Sequence, residues 1–167
     1  MDQAEIDAFW ADARIRGGLN PASAYLGRTV DESLPPPAWA FDGDPASADD
    51  LVALVIAGTK TATSSARSDY EEHDDLPTPG MLSILLDSAG HPRALLRTTE
   101  VSVKAFCDVP EEHAFAEGEG ERSLSQWRNA HAEFFADYEP EMLVVLERFV
   151  VLTAHSSGHQ APVHQDA

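Results

Sequence analysis

The sequence predicts an α+β protein in which helices surround a mainly antiparallel sheet. Apolar residues at helical spacing occur near the N-terminus and again beyond residue 120, whereas strand-like apolar runs lie in the centre and toward the C-terminus. These elements do not alternate as the strand–helix–strand units that a parallel sheet requires. The 167 residues are the length of one domain, enough to bury a core without disulfides or metal.

The N-terminal part predicts one helix followed by an irregular segment. Apolar residues recur at helical spacing over residues 2–16, and the glycine pair 17–18 ends this pattern. Residues 18–46 are rich in proline, so they are expected to wrap around the rest of the protein without regular structure. Trp39 and Phe41 are expected to anchor this segment to the core.

A second helix is predicted after the proline-rich segment. The pattern Ser47-x-x-Asp50 is typical of a capping box, which places the start of the helix there. Leu51 and Val55 would lie on its buried face, and Gly58 suits the position just past its end.

The centre of the chain predicts a hairpin, and the C-terminal part predicts a further strand. Residues 81–87 and 93–104 are strand-like and are joined through residues 88–90. Residues 143–152 (LVVLERFVVL) predict a closing strand. Residues 153–167 are polar and lack periodicity, so they are expected to be a disordered tail.

Two more helices are predicted between the hairpin and the last strand. A short helix runs from about residue 108 to residue 116, and residues 117–121 (EGEGE) form a tight acidic loop. Ser123-x-x-Gln126 then opens a longer helix. Its apolar stripe comprises Leu124, Trp127, His131, Phe134 and Phe135.

The charge balance disfavours a large nucleic-acid footprint. Eleven lysines and arginines stand against 29 aspartates and glutamates, a formal net charge of −18. Binding to phosphate backbones depends on clustered basic residues, and a strongly acidic protein repels long polyanions. RNA is therefore disfavoured as a partner, whereas a small uncharged ligand such as a nucleoside remains compatible with this charge.

A cytoplasmic location is expected. Cys107 is the only cysteine, so no internal disulfide can form. The sequence has no apolar run of transmembrane length and no signal peptide, so no membrane association is expected. No feature of the sequence indicates an oligomeric state.

The segment 58–64 (GTKTATS) carries an amine and a hydroxyl three residues apart. If the segment turns, Lys60 and Thr63 can reach one pocket, where a neutral amine activates a threonine hydroxyl as a nucleophile. A structural alternative exists for each residue. A lysine just past a helix is favoured by the helix dipole, and Thr63 would cap a helix running through Tyr70.

The acidic loop is a second candidate site. A carboxylate on a glycine-jointed loop can bind an exocyclic amine or carry a proton during hydrolysis. With His113 or His131 it would offer metal ligands, but no recognised ligand spacing is present, so neither metal nor cofactor is expected. The structural alternative is a solvated loop. Trp127 and His131 would stack on a base or, as their apolar stripe favours, lie in the core.

Together these segments resemble the ASCH domain family, a group of PUA-like β-barrels with the motif G-x-K-x-x-T, which Gly58–Thr63 satisfies. The resemblance covers roughly residues 5–152. Its further blocks are an early tryptophan helix (Phe9-Trp10), an F-G-D-like stretch (41–44), a hairpin end (Thr98 or Thr99, Val101, Val103, Phe106), the run from Glu117 to His131, and a final E-x-F strand (Glu147, Phe149).

The resemblance implies a mainly antiparallel β-barrel flanked by helices and an amidohydrolase site. A shorter ASCH subfamily removes the acetyl group from acetylcytidine with a lysine, a threonine and a loop glutamate, which implies Lys60, Thr63 and Glu119 here. Glu117 is the alternative carboxylate. Lys60 acts as a neutral base on Thr63 or, if nearby carboxylates keep it charged, as an ammonium that polarises the carbonyl.

Two other functions stay open, because other ASCH members are ribonucleases or proposed RNA-binding modules. The first is RNA binding or cleavage, and the second is a non-catalytic nucleoside sensor. The remaining substrate-contact candidates are Gly58, Thr61, Ser64, Arg67, Tyr70, Glu117, Trp127, Arg128 and His131. The predicted organisation is a helix and proline-rich wrap over residues 1–46, an ASCH domain over residues 47–152 and a tail over residues 153–167.

Overall fold

The computed structural model describes residues 2–19, 34–71, 76–135 and 138–155. Within these residues, four helices pack around one five-stranded sheet. In chain order the elements are α1 (Gln3–Arg16), β1 (Ala38–Ala40), α2 (Pro45–Ile56), β2 (Ala62–Ala66), β3 (Leu82–Leu86), β4 (Pro92–Ala105), α3 (Glu111–Glu117), α4 (Leu124–Phe134) and β5 (Leu143–Ala154).

The sheet is mixed and curls into a half-barrel. Its strand order is β1–β3–β4–β5–β2, in which only the short β1 runs parallel to its neighbour. The register shifts between Leu95 and Leu96 and between Thr98 and Glu100, where β4 pairs with β5. Bulges of this kind bend a strand and increase its twist, which favours the curl. The predicted α+β class with a mainly antiparallel sheet is confirmed.

The core consists of three clusters of apolar side chains that fix the helices on the sheet. The first joins α1 to β3 and β4 and includes Ile6, Phe9 and Trp10. The second joins α2 to the centre of the sheet. The third lies under α3 and α4 and includes Phe106 and Trp127. Full burial of a large apolar side chain stabilises a fold by about 1.5–3 kcal/mol.

The start of α2 differs from the prediction. The helix begins at Pro45, and the Asp44 side chain accepts hydrogen bonds from the backbone N–H groups of Ala46 and Ser47. Ser47 therefore lies in the first turn and is not the N-cap, because Pro45 at the first helical position already directs the chain into the helix. The end is confirmed, since Gly58 follows the C-cap with a φ of +73°.

Two strands occupy segments for which none was predicted. Residues 62–66 form β2, so Thr63 lies on a strand and not at the N-cap of a helix. Residues 38–40 form β1 within the segment expected to be irregular. Both are edge strands whose residues pair with distant parts of the chain, a partnership that local pattern does not reveal.

Most other boundaries agree with the predictions within a few residues. The hairpin of β3 and β4 and the longer helix opened by Ser123 are confirmed. Glu117 ends α3 and does not lie in the acidic loop. Strand β5 continues to Ala154, where it pairs with Ala94, so it extends into the predicted tail.

Parts of the predicted wrap and tail, residues 20–33 and 156–167, lie outside the described residues. None of the helices in the described ranges is long and apolar enough to cross a membrane.

Candidate functional site

Lys60 enters the protein interior directly after α2. Its backbone N–H donates to the carbonyl of Leu54 at 3.1 Å, and the N–H of Thr61 donates to the carbonyl of Ala116 at 2.8 Å. The first bond holds Lys60 against the last turn of α2, and the second fastens the segment between α2 and β2 to the C-terminal end of α3. The Lys60 side chain is consequently only 1% exposed.

The Lys60 ammonium is enclosed by carboxylates. Its Nζ lies 2.5 Å from Oε1 of Glu119 and 3.4 Å from Oε2 of Glu117. It also lies 3.4 Å from the Glu117 carbonyl oxygen and 5.5 Å from the centre of the Phe41 ring. A charged group this deeply buried requires close counter-charges, and two carboxylates supply them.

Glu117 is the most heavily bonded carboxylate of the site and is itself 2% exposed. Its Oε1 accepts hydrogen bonds from Ser64 Oγ at 2.5 Å and Trp127 Nε1 at 2.7 Å, and lies 3.1 Å from His113 Nε2. Its Oε2 lies 3.4 Å from His131 Nε2. Glu117 therefore joins β2, α3 and α4 beneath the site.

The surroundings of Glu117 stabilise its ionised form. Burial alone would raise the pKa of Glu117, but hydrogen bonds from His113 and His131 and the charge of Lys60 outweigh burial and hold the pKa well below its ordinary value. Because both oxygens already have protein partners, Glu117 positions Lys60 and has no free oxygen for a ligand.

Glu119 is the accessible carboxylate of the pair. Its side chain is 39% exposed, although its Oε1 contacts the buried Lys60. Gly118 permits this arrangement because it adopts a φ of +76° and its backbone lies close to the backbone of Thr59 and Lys60. A Cβ at Gly118 would lie 2.5 Å from the Thr59 carbonyl oxygen, which is a steric clash. Any residue other than glycine would therefore push the two segments apart.

Lys60, Thr63 and Glu119 line one cavity of about 210 Å³. Thr63 reaches it from β2, and Phe41 and Phe134 form part of its wall. Among the described residues, no hydrogen bond joins the Lys60 ammonium to the Thr63 hydroxyl. The three predicted catalytic residues thus meet in one place, with the lysine bound to glutamates and the threonine facing open space.

A larger cavity of about 420 Å³ lies within the curled sheet and shares Thr63 with the first. Edge strands β1 and β2 both contribute to it, and so do β3, β4 and β5. Its described lining is largely aromatic or hydroxylic and includes Trp39, Phe41, Ser64, Tyr70, Thr98, Phe134 and Glu147. The predicted candidates Ser64 and Tyr70 therefore face this cavity.

Several other predicted contact residues lie elsewhere. Gly58 and Thr61 line a different cavity near Arg148. The guanidinium groups of Arg67 and Arg128 donate to backbone carbonyls, those of Tyr70 and Cys107, both at 2.8 Å.

The aromatic candidates of α4 lie at the boundary of the site. Trp127 belongs to the core, as its apolar stripe favoured, with its ring stacked on that of His131 at 4.1 Å. His131 also lines the smaller cavity. Of the two stacked rings, the imidazole of His131 is therefore the one that a ligand in the smaller cavity can reach.

Sequence reasoning did not single out Glu147 as a site residue. Thr98 Oγ1 donates to Glu147 Oε1 at 2.5 Å, and burial raises the pKa of Glu147 because the Thr98 bond offsets only part of the effect. The available signal was the charged pair Glu147-Arg148 between two apolar runs of one strand. His113 was considered only as a metal ligand, although its i,i+4 spacing to Glu117 on one helix predicts their contact.

The residues near Glu117 do not form a metal centre. Within the described ranges, no group of three or more histidine, cysteine, aspartate or glutamate side chains is arranged to hold a metal ion. Oε1 of Glu117 instead accepts hydrogen bonds from Ser64 and Trp127, and a cation bound at this oxygen would displace these donors.

A curled five-stranded half-barrel flanked by four helices, as the described residues form it, is a PUA-like α+β fold. Residues 37–153 match the ASCH domain, so the chain belongs to the ASCH domain family and the predicted resemblance is confirmed. No curated protein matches the chain.

Two solved structures are similar over most of this chain. An ASCH domain from Lactobacillus crispatus JV V101 is 29% identical, with a TM-score of 0.67 over 84% of this chain and 96% of its own. A protein from Enterococcus faecalis V583 is also 29% identical, with a TM-score of 0.74 over 96% of this chain and 100% of its own.

Proposed function

We propose that this protein hydrolyses a small amide on an acylated nucleoside, of which acetylcytidine is an example. The observation that carries the proposal is the meeting of Lys60, Thr63 and Glu119 around one cavity. This cavity adjoins a larger aromatic one of a size suited to a nucleoside. An amine, a hydroxyl and an accessible carboxylate are the groups that acyl transfer to a threonine requires.

Lys60 acts as an ammonium in this mechanism. Two carboxylates contact its Nζ and stabilise the positive charge, and no hydrogen bond to Thr63 prepares it to accept a proton from that hydroxyl. When Glu119 takes the proton of Thr63 it loses its negative charge, so the charge of Lys60 is less compensated and stabilises the oxyanion that forms as the carbonyl is attacked.

Thr63 is the nucleophile and Glu119 carries the proton. Oγ1 of Thr63 attacks the acyl carbon while its proton passes to Glu119. The carbon–nitrogen bond then breaks, and Glu119 donates the proton to the departing amine. Water attacks the resulting threonyl ester, its proton passes through Glu119 to Oγ1, and the carboxylic acid leaves with Thr63 restored.

The test is turnover of acetylcytidine by the purified full chain, followed as released cytidine by chromatography. We expect Thr63→Val, which keeps the β-branched shape but lacks the hydroxyl, to lower turnover by about a hundredfold or more. Thr63→Ser keeps a hydroxyl and should retain measurable turnover. Thr59→Val is the matched control, because Thr59 lines a different cavity and should leave turnover unchanged.

Binding of cytidine, measured separately by calorimetry, distinguishes hydrolysis from the other functions. Binding without turnover of acetylcytidine would contradict the mechanism and indicate a nucleoside sensor. Full turnover by Thr63→Val would contradict the role of Thr63 even if the amide is hydrolysed.

A further inference from the structure

The larger cavity is suited to a flat, uncharged ring. The side chains of Trp39, Phe41, Tyr70 and Phe134 contribute to its wall. Neither lysine nor arginine occurs among the described residues that line it. A planar base packs favourably against aromatic rings, whereas a phosphate group would meet no cation there.

Glu147 and Thr98 place one hydrogen-bonding pair on the wall of this cavity. Glu147 on β5 is the direct cross-strand partner of Thr63 on β2. Both side chains therefore project from the same face of the sheet, with Cβ atoms about 5 Å apart. The hydrogen bond from Thr98 occupies Oε1 and leaves Oε2 of Glu147 without a partner among the described residues.

The carboxyl group of Glu147 keeps its proton more readily than that of an exposed glutamate, because of its surroundings. Burial raises the pKa of Glu147, and the Thr98 hydrogen bond lowers it by less. A protonated carboxyl presents an O–H donor beside a carbonyl acceptor. This pattern is complementary to a base edge on which a ring nitrogen lies beside an amino group.

We propose that Glu147, oriented by Thr98, recognises the base of the ligand through a ring-nitrogen acceptor and an adjacent amino donor, as cytosine presents them. Because Glu147 lies opposite Thr63, this contact brings the group attached to the amino nitrogen next to the Thr63 hydroxyl. The inference rests on the proposed function for the choice of a nucleoside as ligand, and it names the residue that selects the base.

The experiment measures binding of cytidine and uridine by calorimetry to the full chain and three variants. Glu147→Gln retains a donor and an acceptor, whereas Glu147→Leu retains neither. Glu100→Gln is the matched control, because Glu100 is an exposed residue of β4 that does not line the cavity. Thermal unfolding of each variant verifies that the protein is folded.

We expect cytidine to bind about tenfold or more tightly than uridine, which has an N–H donor at the ring position and a carbonyl at the neighbouring one. Glu147→Leu should weaken cytidine binding by about tenfold or more and remove the preference over uridine. Glu147→Gln should retain both within about threefold, as should Glu100→Gln.

Three results would overturn the inference: equal binding of the two nucleosides, wild-type binding by Glu147→Leu, or loss of cytidine binding in Glu147→Gln. Its failure is distinguishable from failure of the hydrolase mechanism. Glu147-dependent cytidine binding without turnover of acetylcytidine leaves the inference standing alone. Turnover with a KM unaffected by Glu147→Leu leaves only the hydrolase proposal standing.

Discussion

The side chain of Lys60 is among the largest that the fold buries almost completely in the described part of the chain. A buried ion pair seldom stabilises a protein more than apolar side chains of the same volume, because each charge must give up its hydration. Compared with apolar side chains of the same volume, the whole cluster of Lys60, Glu117 and Glu119 therefore adds little net stability, whereas removing one of its charges leaves a buried partner uncompensated. Under the proposed mechanism, the role of these three residues is instead to fix a positive charge beside the smaller cavity.

Replacing Glu117 with glutamine should produce a pH-dependent loss of stability. The pKa of Glu117 lies well below 4.5 in the folded protein, so its ionised form contributes stability above the unfolded-state pKa and loses that contribution as the pH falls. We expect Glu117→Gln to lower the free energy of unfolding by about 2–4 kcal/mol near pH 7. Urea unfolding from pH 7 to pH 3 measures the difference.

The difference between wild type and Glu117→Gln should shrink as the pH falls below the ordinary pKa of glutamate, because the unfolded wild-type chain then takes up a proton that the folded Glu117 carboxylate still resists. Glu133→Gln is the control, since Glu133 is exposed on α4 and should show no such convergence. A stability difference that stays constant over this pH range would show that the charge of Glu117 is not what matters.

The junction between α3 and the acidic loop depends on Gly118, where the chain reverses against the segment that carries Lys60. Its left-handed conformation ends α3 so that Glu117 points inward and Glu119 can reach the cavity. Gly58 ends α2 in the same conformation, but a Cβ there would meet no atom within 4 Å. Alanine at Gly58 would therefore introduce backbone strain alone, whereas alanine at Gly118 would introduce both backbone strain and a steric clash.

Gly118→Ala should destabilise the protein more than Gly58→Ala. Both alanines adopt an unfavourable left-handed conformation, at a cost of about 1 kcal/mol each. At Gly118 the added Cβ also contacts the Thr59 carbonyl oxygen, which should cost a further 1–3 kcal/mol, roughly. Chemical unfolding of the two variants measures the difference, and equal losses would contradict the close packing at Gly118.

Elements with a strong local pattern were predicted well, and elements defined by distant partners were not. Helix α1 and the hairpin of β3 and β4 follow directly from periodicity. The start of α2 was misplaced because Asp44-Pro45 and Ser47-x-x-Asp50 are both acceptable starts, and the helix uses the first, with Asp44 as the N-cap and Pro45 at the first helical position. Strand β2 is defined by its pairing with β5, which its own residues do not encode.

The net charge of −18 belongs to the molecule as a whole, and it opposes association with nucleic acid. The larger cavity has the same character, since Asp42 and Asp69 are among its described lining residues. The positive charge of Lys60 in the smaller cavity is already compensated by two glutamates. A ligand bearing several phosphates would therefore meet repulsion both at a distance and at the site.

Short single-stranded RNA should consequently bind more weakly than about 10⁻⁴ M at physiological salt. Fluorescence anisotropy with a labelled oligonucleotide between 50 and 300 mM salt, roughly, measures this. Cytidine provides the reference, because binding of an uncharged nucleoside should change little over that range. Tight RNA binding that weakens steeply with salt would contradict the nucleoside proposal and favour a phosphate-binding function.

Local pattern, composition and motif were enough to predict the α+β class and the family, and to single out Lys60 and Thr63 as candidate site residues. These features depend on neighbours in the chain, whose spacing is visible in one dimension. The choice between Glu117 and Glu119, and the location of Glu147, emerged only from the folded chain. Burial and strand register depend on residues far apart in sequence, so the end of α3 buries one glutamate, and the pairing of β2 with β5 sets another beside Thr63.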